Sequence, residues 1–244
     1  MPSLQVLFGF HALDVRLKIA PQSIVELYVD PARHDARMRQ FLARAQLAGV
    51  RPIQADAARL SHLAGSQRHQ GVVARVQPRP MEHSLDDLLD GLIEPPLLLV
   101  LDGVTDPHNL GACLRAADGA GAHAVIAPRD RAAGINAVAA KAASGAADTV
   151  PYFMVTNLAR TLGELKERAI WIAGASDDAD ATLYAADLKG ALALVLGAEG
   201  SGLRQLTRKT CDQLLRIPMH GAVESLNVSV ASGVCLYEAR RQRG

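Results

Sequence analysis

The second half of the chain alternates short apolar runs with segments of helical periodicity, and this alternation constrains the fold more than any other feature. The apolar runs occupy residues 97–101, 124–126, 149–155, 169–173, 192–196 and 213–217. Between and after them lie the predicted helices 111–121, 136–147, 158–168, 203–210 and 227–241. Continuous apolar runs are typical of parallel strands covered on both faces. The pattern therefore predicts an α/β domain with a parallel sheet and with ligand sites at the carboxyl ends of its strands.

A smaller α/β unit is predicted at residues 1–76, ahead of this domain. Its strands are predicted at 24–29, 51–54 and 70–76, and its helices at 11–18, 35–48 and 56–63. Residues 77–96 then hold four prolines and several acidic residues around one short helical piece, which is typical of a linker. The predicted division is a unit at 1–76, a linker at 77–95 and a larger domain at 96–244.

Composition excludes several classes of protein. Hydrophobic residues make up 49% of the 244 positions, yet no apolar run approaches the roughly 20 residues of a membrane span. The first residues lack the pattern of a signal peptide. Three widely spaced cysteines fit a reducing compartment better than a disulfide framework, and no spacing typical of a metal site occurs. We therefore expect a cytoplasmic protein without a membrane partner or a bound metal.

Charge is unevenly distributed although the net charge is only +1. Residues 1–77 hold ten Lys and Arg against five Asp and Glu, residues 78–95 hold one against five, and residues 96–244 hold 15 against 15. A basic first unit is a modest indication of nucleic-acid contact. A solvated basic face accounts for the same excess.

Polar residues follow three of the predicted strands at the turn into the next helix. Asn109 and Arg115 follow the run at 97–101, while Ser225 and Asn227 precede the last helix. Ser and Asn are favoured helix caps, so ordinary capping explains Asn109, Ser225 and Asn227 taken singly. Arg115 is either a surface arginine or a group that recognises phosphate or ribose.

The remaining polar turn, 196–203, contains three glycines around Glu199. Glycine lets a backbone approach a ligand closely and adopt positive φ. The turn matches neither the dinucleotide fingerprint nor the P-loop, and Glu199 would repel a pyrophosphate. A neutral or cationic ligand suits it better, whereas a plain tight turn would leave Glu199 without a role.

These three segments resemble the three motifs of the SpoU (TrmH-type) RNA ribose 2′-O-methyltransferases, within the SPOUT class. The matching residues are Asp102-Gly103 through Asn109 to Arg115, Leu196-Gly-Ala-Glu-Gly200, and Ile217-Pro-Met through Ser225-Leu-Asn-Val-Ser229. Gly9-Phe-His-Ala-Leu13 and His69-Gln-Gly-Val-Val73 are similar to the substrate-binding domain of one branch of that family. That branch methylates a guanosine ribose of 23S rRNA in the peptidyl-transferase region.

The resemblance implies a fold and partners that periodicity does not reveal. It implies a deep trefoil knot in the C-terminal domain, S-adenosylmethionine as cofactor, and a homodimer whose active site lies at the subunit interface. It also implies a ribosomal-protein-like RNA-binding fold for residues 1–76. The substrate would be 23S rRNA or an intermediate of large-subunit assembly.

The resemblance also assigns site residues. Gly197, Ile217 and Leu226 would hold the cofactor, largely through backbone groups. The catalytic positions would be Asn109, Arg115, Glu199, Ser225 and Asn227. The reaction would be an in-line attack of the ribose 2′-oxygen on a sulfonium methyl group. A guanidinium is almost always protonated, so our hypothesis is that Arg115 stabilises the developing alkoxide while Asn109 and Glu199 position it.

Three other functions fit parts of the same pattern. A sister enzyme that methylates a tRNA ribose would share the chemistry, although the separate basic unit favours rRNA. A ribosome-assembly factor that binds RNA without turnover would share the fold, although it has no need of all five polar residues. A nicotinamide-dependent enzyme fits least, since the fingerprint loop is missing.

Overall fold

The computed structural model describes residues 4–77 and 84–244, which fall into two compact units, Met1–Pro80 and Met81–Gly244. Each unit is a β-sheet covered by helices. The predicted α/β fold class, with a parallel sheet in the second unit, is confirmed. The boundaries predicted at 76 and 95 stay a prediction, and part of the predicted linker, 78–83, lies outside the described residues.

The first unit contains four strands and three helices in its described residues. In chain order they are β1 Gln5–Phe8, α1 Phe10–Ile19, β2 Ile24–Val29, α2 Ala36–Leu47, β3 Pro52–Gln54, α3 Ala57–Ala64 and β4 Val72–Val76. The sheet order is β1-β4-β2-β3, with β4 antiparallel to both of its neighbours and β3 parallel to β2.

Helix starts in the first unit are fixed by caps that the sequence predicts. The Asp35 carboxylate accepts from the Met38 backbone N–H at 3.0 Å, and the Asp56 carboxylate accepts from that of Arg59 at 2.8 Å. Helices α1 and α2 cover one face of the sheet, where the rings of Phe10 and Phe41 meet edge to face at 5.5 Å. Helix α3 covers the other face.

The second unit is built on seven parallel strands. Its elements are α4 Leu85–Asp90, β5 Leu97–Asp102, α5 Pro107–Ala120, β6 Ala124–Pro128, α6 Ala137–Ala143, β7 Tyr152–Val155, α7 Leu158–Glu167, β8 Trp171–Ala175, β9 Ala181–Thr182, β10 Leu192–Gly197, α8 Gln205–Thr210, β11 Gln213–Arg216 and α9 Val228–Arg243. The order β7-β6-β5-β10-β8-β11-β9 puts β5 and β10 at the centre.

Strand β5 is buried on both faces, as expected of a central strand. Every residue of the strand is buried, as its unbroken apolar run predicts. Leu97, Leu99 and Leu101 pack in one cluster with α5 and α9. Leu98 and Val100 pack on the opposite face with α7. Helices α5 and α9 thus lie side by side over the strands that carry the polar turns.

The acidic helix α4 packs on the second unit. Leu88 is buried in the cluster that contains Leu98 and Val100. The Arg168 guanidinium donates to the carboxylates of Asp90 at 2.6 Å and Asp86 at 2.9 Å. The short helical piece predicted inside the linker is therefore present and is held by Arg168, the residue that follows α7.

Two predicted helix boundaries are wrong. Helix α5 begins at Pro107 rather than at residue 111, because Asp106 accepts from the His108 N–H at 2.9 Å and proline suits the first helical position. Asn109 consequently lies in the first turn and is not a cap. Helix α6 ends at Ala143 rather than at 147, because the two residues that follow adopt left-handed φ of 52° and 97°.

Strand β1 and the short strand β9 are additions to the predicted elements. Among the helices within 4–77 and 84–244, none has the length and apolar character that a membrane span requires. The trefoil knot stays a prediction.

Candidate active site

The carboxyl ends of the central strands bring the first two polar turns together. Strands β5 and β10 are in register, with Gly197 opposite Asp102. Strand β8 separates β10 from β11, after which the third polar segment begins. All three segments therefore leave the same edge of one parallel sheet, as the predicted topology requires.

Close packing of its own backbone shapes the turn that carries Glu199. A Cβ atom on Gly197 would lie 2.1 Å from the carbonyl carbon of Gly202, so only glycine fits there. Gly202 donates its N–H to the Ala198 carbonyl at 2.9 Å, and Gly200 and Gly202 have φ of 76° and 62°. This tight turn leaves Glu199 exposed at its tip.

Three of the predicted catalytic residues form one hydrogen-bond network. Glu199 Oε1 accepts from Asn109 Nδ2 at 3.3 Å, from the Val228 backbone N–H at 3.3 Å, and from Asn227 Nδ2 in a still shorter contact. Asn227 Nδ2 also donates to Asn109 Oδ1 at 3.0 Å. The network joins the three polar segments although its members are far apart in sequence.

Asn227 serves as a helix cap and as a member of this network. Its Oδ1 accepts from the Ser229 backbone N–H at 2.9 Å and from the Ser229 hydroxyl at 2.6 Å. These bonds fix the oxygen on the helix side and turn the amide nitrogen towards Glu199. Capping and network membership are therefore compatible, since each uses a different atom.

Arg115 and Ser225 lie outside the network. Both are exposed, and neither side chain makes a hydrogen bond or ion pair with any residue in the described ranges. Arg115 is six residues after Asn109 on α5, which places it about 240° further around the helix axis. Within one copy of the chain the guanidinium and the network therefore face different directions.

Asp102 and Arg204 form a connection that the sequence did not single out. Asp102 is buried at the end of β5, and its Oδ2 accepts the Arg204 backbone N–H at 2.9 Å. The Arg204 guanidinium lies 3.4 Å from Asp102 Oδ1 and donates to the Asp130 carbonyl at 3.3 Å. In the sequence, the one indication of this role is that Asp102 is a polar residue at the end of an apolar run.

A buried cysteine lies beneath the network without the properties of a nucleophile. Cys113 Sγ is 3.4 Å from the hydroxyl oxygen of Ser232. Burial raises the pKa of Cys113 to about 11; the Ser232 hydrogen bond opposes this rise, and the negative charge of Glu199 adds to it. The thiol is consequently protonated at neutral pH, when a nucleophile would have to be thiolate.

The predicted cofactor residues lie at the same sheet edge. Gly197 ends β10, Ile217 follows β11 and packs on the core, and Leu226 is half-buried just before α9. A glycine backbone and two apolar side chains suit a ligand with a flat ring and a polar rim. Among the residues described, no group of three or more His, Cys, Asp or Glu could hold a metal ion.

Comparisons with known proteins find the same family over both units. The sequence model described as SpoU rRNA Methylase family matches residues 96–237, and the one described as RNA 2′-O ribose methyltransferase substrate binding matches residues 6–81. A curated protein of Ralstonia nicotianae named 23S rRNA (guanosine-2′-O-)-methyltransferase RlmB is 62% identical over 243 residues, which cover 100% of this chain and 98% of that protein.

Solved structures are similar along nearly the whole chain. A crystal structure of an RNA 2′-O ribose methyltransferase superposes with a TM-score of 0.76 at 26% identity, covering 99% of this chain and 89% of that one. The SpoU methyltransferase AviRb from Streptomyces viridochromogenes, in complex with AdoMet, has a TM-score of 0.74 at 24% identity, with 99% and 91% covered, and shows similarity of fold.

Proposed function

The chain belongs to the SpoU rRNA methylase family, and from that membership we propose that it transfers a methyl group from S-adenosylmethionine to the ribose 2′-hydroxyl of a guanosine in 23S rRNA. The identity of 62% along the full length to an enzyme of that name is the observation that carries the proposal. The Asn109–Glu199–Asn227 network supports it, because it collects one residue from each of the three polar segments.

S-adenosylmethionine supplies the methyl group as a sulfonium, whose positive charge is lost on transfer. We assign its binding to Gly197, Ile217 and Leu226, with the tight glycine turn offering backbone groups and the two side chains offering apolar contact. The carboxylate of Glu199 suits a cationic ligand nearby, and its Oε2 accepts no hydrogen bond from any residue of the described ranges.

The catalytic residues in this proposal are Asn109, Arg115, Glu199, Ser225 and Asn227. The network holds Glu199 and the two asparagines in one arrangement before the substrate arrives, which lowers the cost of reorganisation during the reaction. Arg115 would stabilise the alkoxide that develops on the 2′-oxygen, and Ser225 offers a hydroxyl beside the start of α9.

A homodimer would bring Arg115 of one copy to the network of the other. Val230 and Tyr237 are 51% and 54% exposed and lie two turns apart on one face of α9. The Tyr237 hydroxyl is close to Gly119, which shares its α5 face with Arg115. The unpaired arginine thus borders an apolar surface that a second copy would cover.

Mixing two inactive variants tests this shared site. We expect Arg115→Ala and Glu199→Ala each to abolish methyl transfer, while subunit exchange between them restores about a quarter of the activity, because half of the exchanged dimers carry one intact site. In double-tagged dimers that co-purify, every dimer is mixed, so these should recover about half of the wild-type activity. Absence of recovery in a verified mixed dimer would place Arg115 and Glu199 in the same subunit.

The region of the substrate guanosine, the form in which the RNA is bound and the cellular compartment are also proposals. We infer that the guanosine lies in the peptidyl-transferase region, that 23S rRNA or an assembly intermediate of the large subunit is bound, and that the protein works in the cytoplasm, where this RNA is found. The resemblance of both units to one branch of the family supports these assignments.

A methylation assay with purified protein and S-adenosylmethionine decides between the candidate functions. Incubation with 23S rRNA and with bulk tRNA is followed by mapping of bonds that resist alkaline cleavage. One protected guanosine in 23S rRNA is expected. Modification of tRNA alone would establish the sister activity, and cofactor binding without transfer to rRNA, tRNA or large-subunit precursors would indicate an RNA-binding assembly factor.

A further inference from the structure

One edge of the first unit gathers the starts of all three of its described helices. Strand β4 is antiparallel to β1 and β2, and β3 is parallel to β2, so β1, β2 and β3 end where β4 begins. We call this the helix-start edge. Its arginines are Arg33 and Arg37 at the start of α2, Arg59 at the start of α3, and Arg68 in the turn before β4.

The carboxylates at the helix-start edge are largely turned to backbone groups. Asp30 accepts from the Ala32 N–H at 2.9 Å, while Asp35 and Asp56 cap α2 and α3. At the opposite edge two arginines are paired with carboxylates, Arg44 with Asp14 at 2.9 Å and Arg75 with Glu26 at 3.1 Å, whereas Arg51, directly before β3, is exposed and has no such partner among the described residues. The helix-start edge itself holds Arg37, Arg59 and Arg68 as exposed arginines without a carboxylate partner among the described residues.

Two arginines at this edge are held by aromatic rings and by no acidic group. The Arg37 guanidinium lies 4.8 Å from the centroid of Phe10, and that of Arg59 lies 5.3 Å from the centroid of Tyr28. Both rings are buried and both arginines are exposed. Neither guanidinium makes a hydrogen bond or ion pair with another described residue.

Stacking on aromatic rings orders these two guanidinium groups before a phosphate binds. A ring beneath the guanidinium orients its plane and leaves the N–H edge facing solvent, where it matches a phosphate oxygen pair. Because the side chain is already ordered, less conformational entropy is lost on binding. A lysine would supply the charge without this planar fork.

Arg33 has a different role despite its similar position. Its guanidinium also lies 4.8 Å from the Phe10 centroid, but it donates to the Asp35 carboxylate at 2.5 Å and to the Gln70 carbonyl at 2.6 Å. Gln70 in turn accepts the Phe10 N–H through Oε1 at 3.1 Å. Arg33 thus connects the turn before α2 with the turn before β4, and through Gln70 with the start of α1. It has few N–H donors left for a ligand.

We propose that Arg37 and Arg59 contact backbone phosphates of the substrate RNA at the helix-start edge. This inference rests on the proposed function, which supplies RNA as the ligand, and adds the place on the first unit where the RNA is held. Arg33 maintains the shape of the edge, and Arg68 adds positive charge beside it.

Salt-dependent binding of the full-length protein to a 23S rRNA fragment tests the proposal. The logarithm of the RNA-binding constant falls linearly with the logarithm of the salt concentration. Each lost phosphate contact should reduce the steepness of this line by about 1, so the double variant Arg37→Ala/Arg59→Ala should reduce it by about 2. Arg44→Ala/Arg75→Ala removes the same charge from the opposite edge and should keep the wild-type slope. Circular dichroism verifies folding of each variant.

Three further readouts make the outcome decisive. Arg37→Lys/Arg59→Lys should recover part of the slope, the Kd for S-adenosylmethionine should not change, and KM for RNA should rise while kcat is retained. Equal loss in the two alanine pairs, or wild-type binding by the Arg37/Arg59 pair, would overturn the proposal. If the wild type binds this RNA through these arginines without methylating any RNA, the proposed function fails and the contact stands.

Discussion

The Asp102 carboxylate contacts Arg204 at two points: it accepts the Arg204 backbone N–H at 2.9 Å and lies 3.4 Å from the Arg204 guanidinium. Asp102 ends β5, and Arg204 follows the turn that presents Glu199. Since Arg204 also donates to the Asp130 carbonyl beyond β6, one arginine connects three neighbouring segments at the carboxyl edge of the sheet. We infer that this connection fixes the Glu199 turn relative to Asn109.

Replacing Asp102 should therefore damage the site as well as stability. Asp102→Ala loses a hydrogen bond and an ion pair at a buried group, at a cost of about 1.5–3 kcal/mol. Affinity for S-adenosylmethionine should fall in the folded variant, as measured by calorimetry below its unfolding temperature.

A matched aspartate lies at the opposite edge of the sheet. Asp212 accepts the Ile172 N–H at 2.8 Å and pairs with Lys166 at 2.7 Å, before β11 begins. Asp212→Ala should be destabilised without losing cofactor affinity. Equal loss of affinity in both variants would indicate a general effect of stability and not a connection specific to the Glu199 turn.

Gly197 should tolerate no side chain, whereas a glycine at the other end of β10 should. Gly197→Ala places a methyl group 2.1 Å from the Gly202 carbonyl carbon, so the turn must open at a cost of about 1–3 kcal/mol. Gly190→Ala meets no atom within 4 Å. We expect methyl transfer and cofactor binding to be lost in the first variant and retained in the second; tight cofactor binding by Gly197→Ala would exclude this turn from the cofactor site.

Local signals predicted most of the elements because they depend on neighbours in sequence. Asp35 and Asp56 start α2 and α3 as their cap positions indicate, and the apolar run at 97–101 becomes the buried β5. The start of α5 was missed because its first turn is polar and offers no apolar periodicity. The two-residue strand β9 is too short to leave a pattern.

Contacts at the candidate site depend on the tertiary fold. Asn109 and Asn227 are 118 positions apart, and no local pattern indicates that their amides meet at Glu199. Parallel topology predicts the shared edge, and the family resemblance selects the residues. The sequence places Arg204 only within the predicted helix 203–210, because a single arginine does not indicate the buried carboxylate it binds 102 positions away.

Two substitutions of Asn227 separate its capping role from its proposed catalytic role. Asn227→Ala should lose about 1 kcal/mol of stability together with activity, because no side chain then caps α9. Asn227→Ser retains a capping oxygen but lacks the amide that donates to Glu199 and Asn109. We expect near-normal urea unfolding and strongly reduced methyl transfer for Asn227→Ser; full activity in this variant would reduce Asn227 to a cap.

Glu238 should make the stability of the second unit sensitive to acid. Hydrogen bonds from Arg241, and then from Gln242, lower the pKa of the Glu238 carboxyl from 4.5 to about 2, against the opposing effect of burial. Because the folded-state pKa is depressed, this stabilisation is complete above the unfolded-state pKa and is lost as pH falls from about 4.5 to about 2.

Comparison of Glu238→Gln with the wild type isolates this contribution. The variant should unfold at lower urea concentration at pH 7, and the difference should shrink as the pH is lowered through that window, because protonation removes the wild-type carboxylate as well. Glu164→Gln is a suitable control, since the Arg160–Glu164 pair is 3.4 Å long with both side chains more than half exposed, and exposed pairs contribute little. A Glu238→Gln deficit that stays constant from pH 7 to pH 2 would show that packing, and not the charge held by Arg241, is what the glutamate contributes.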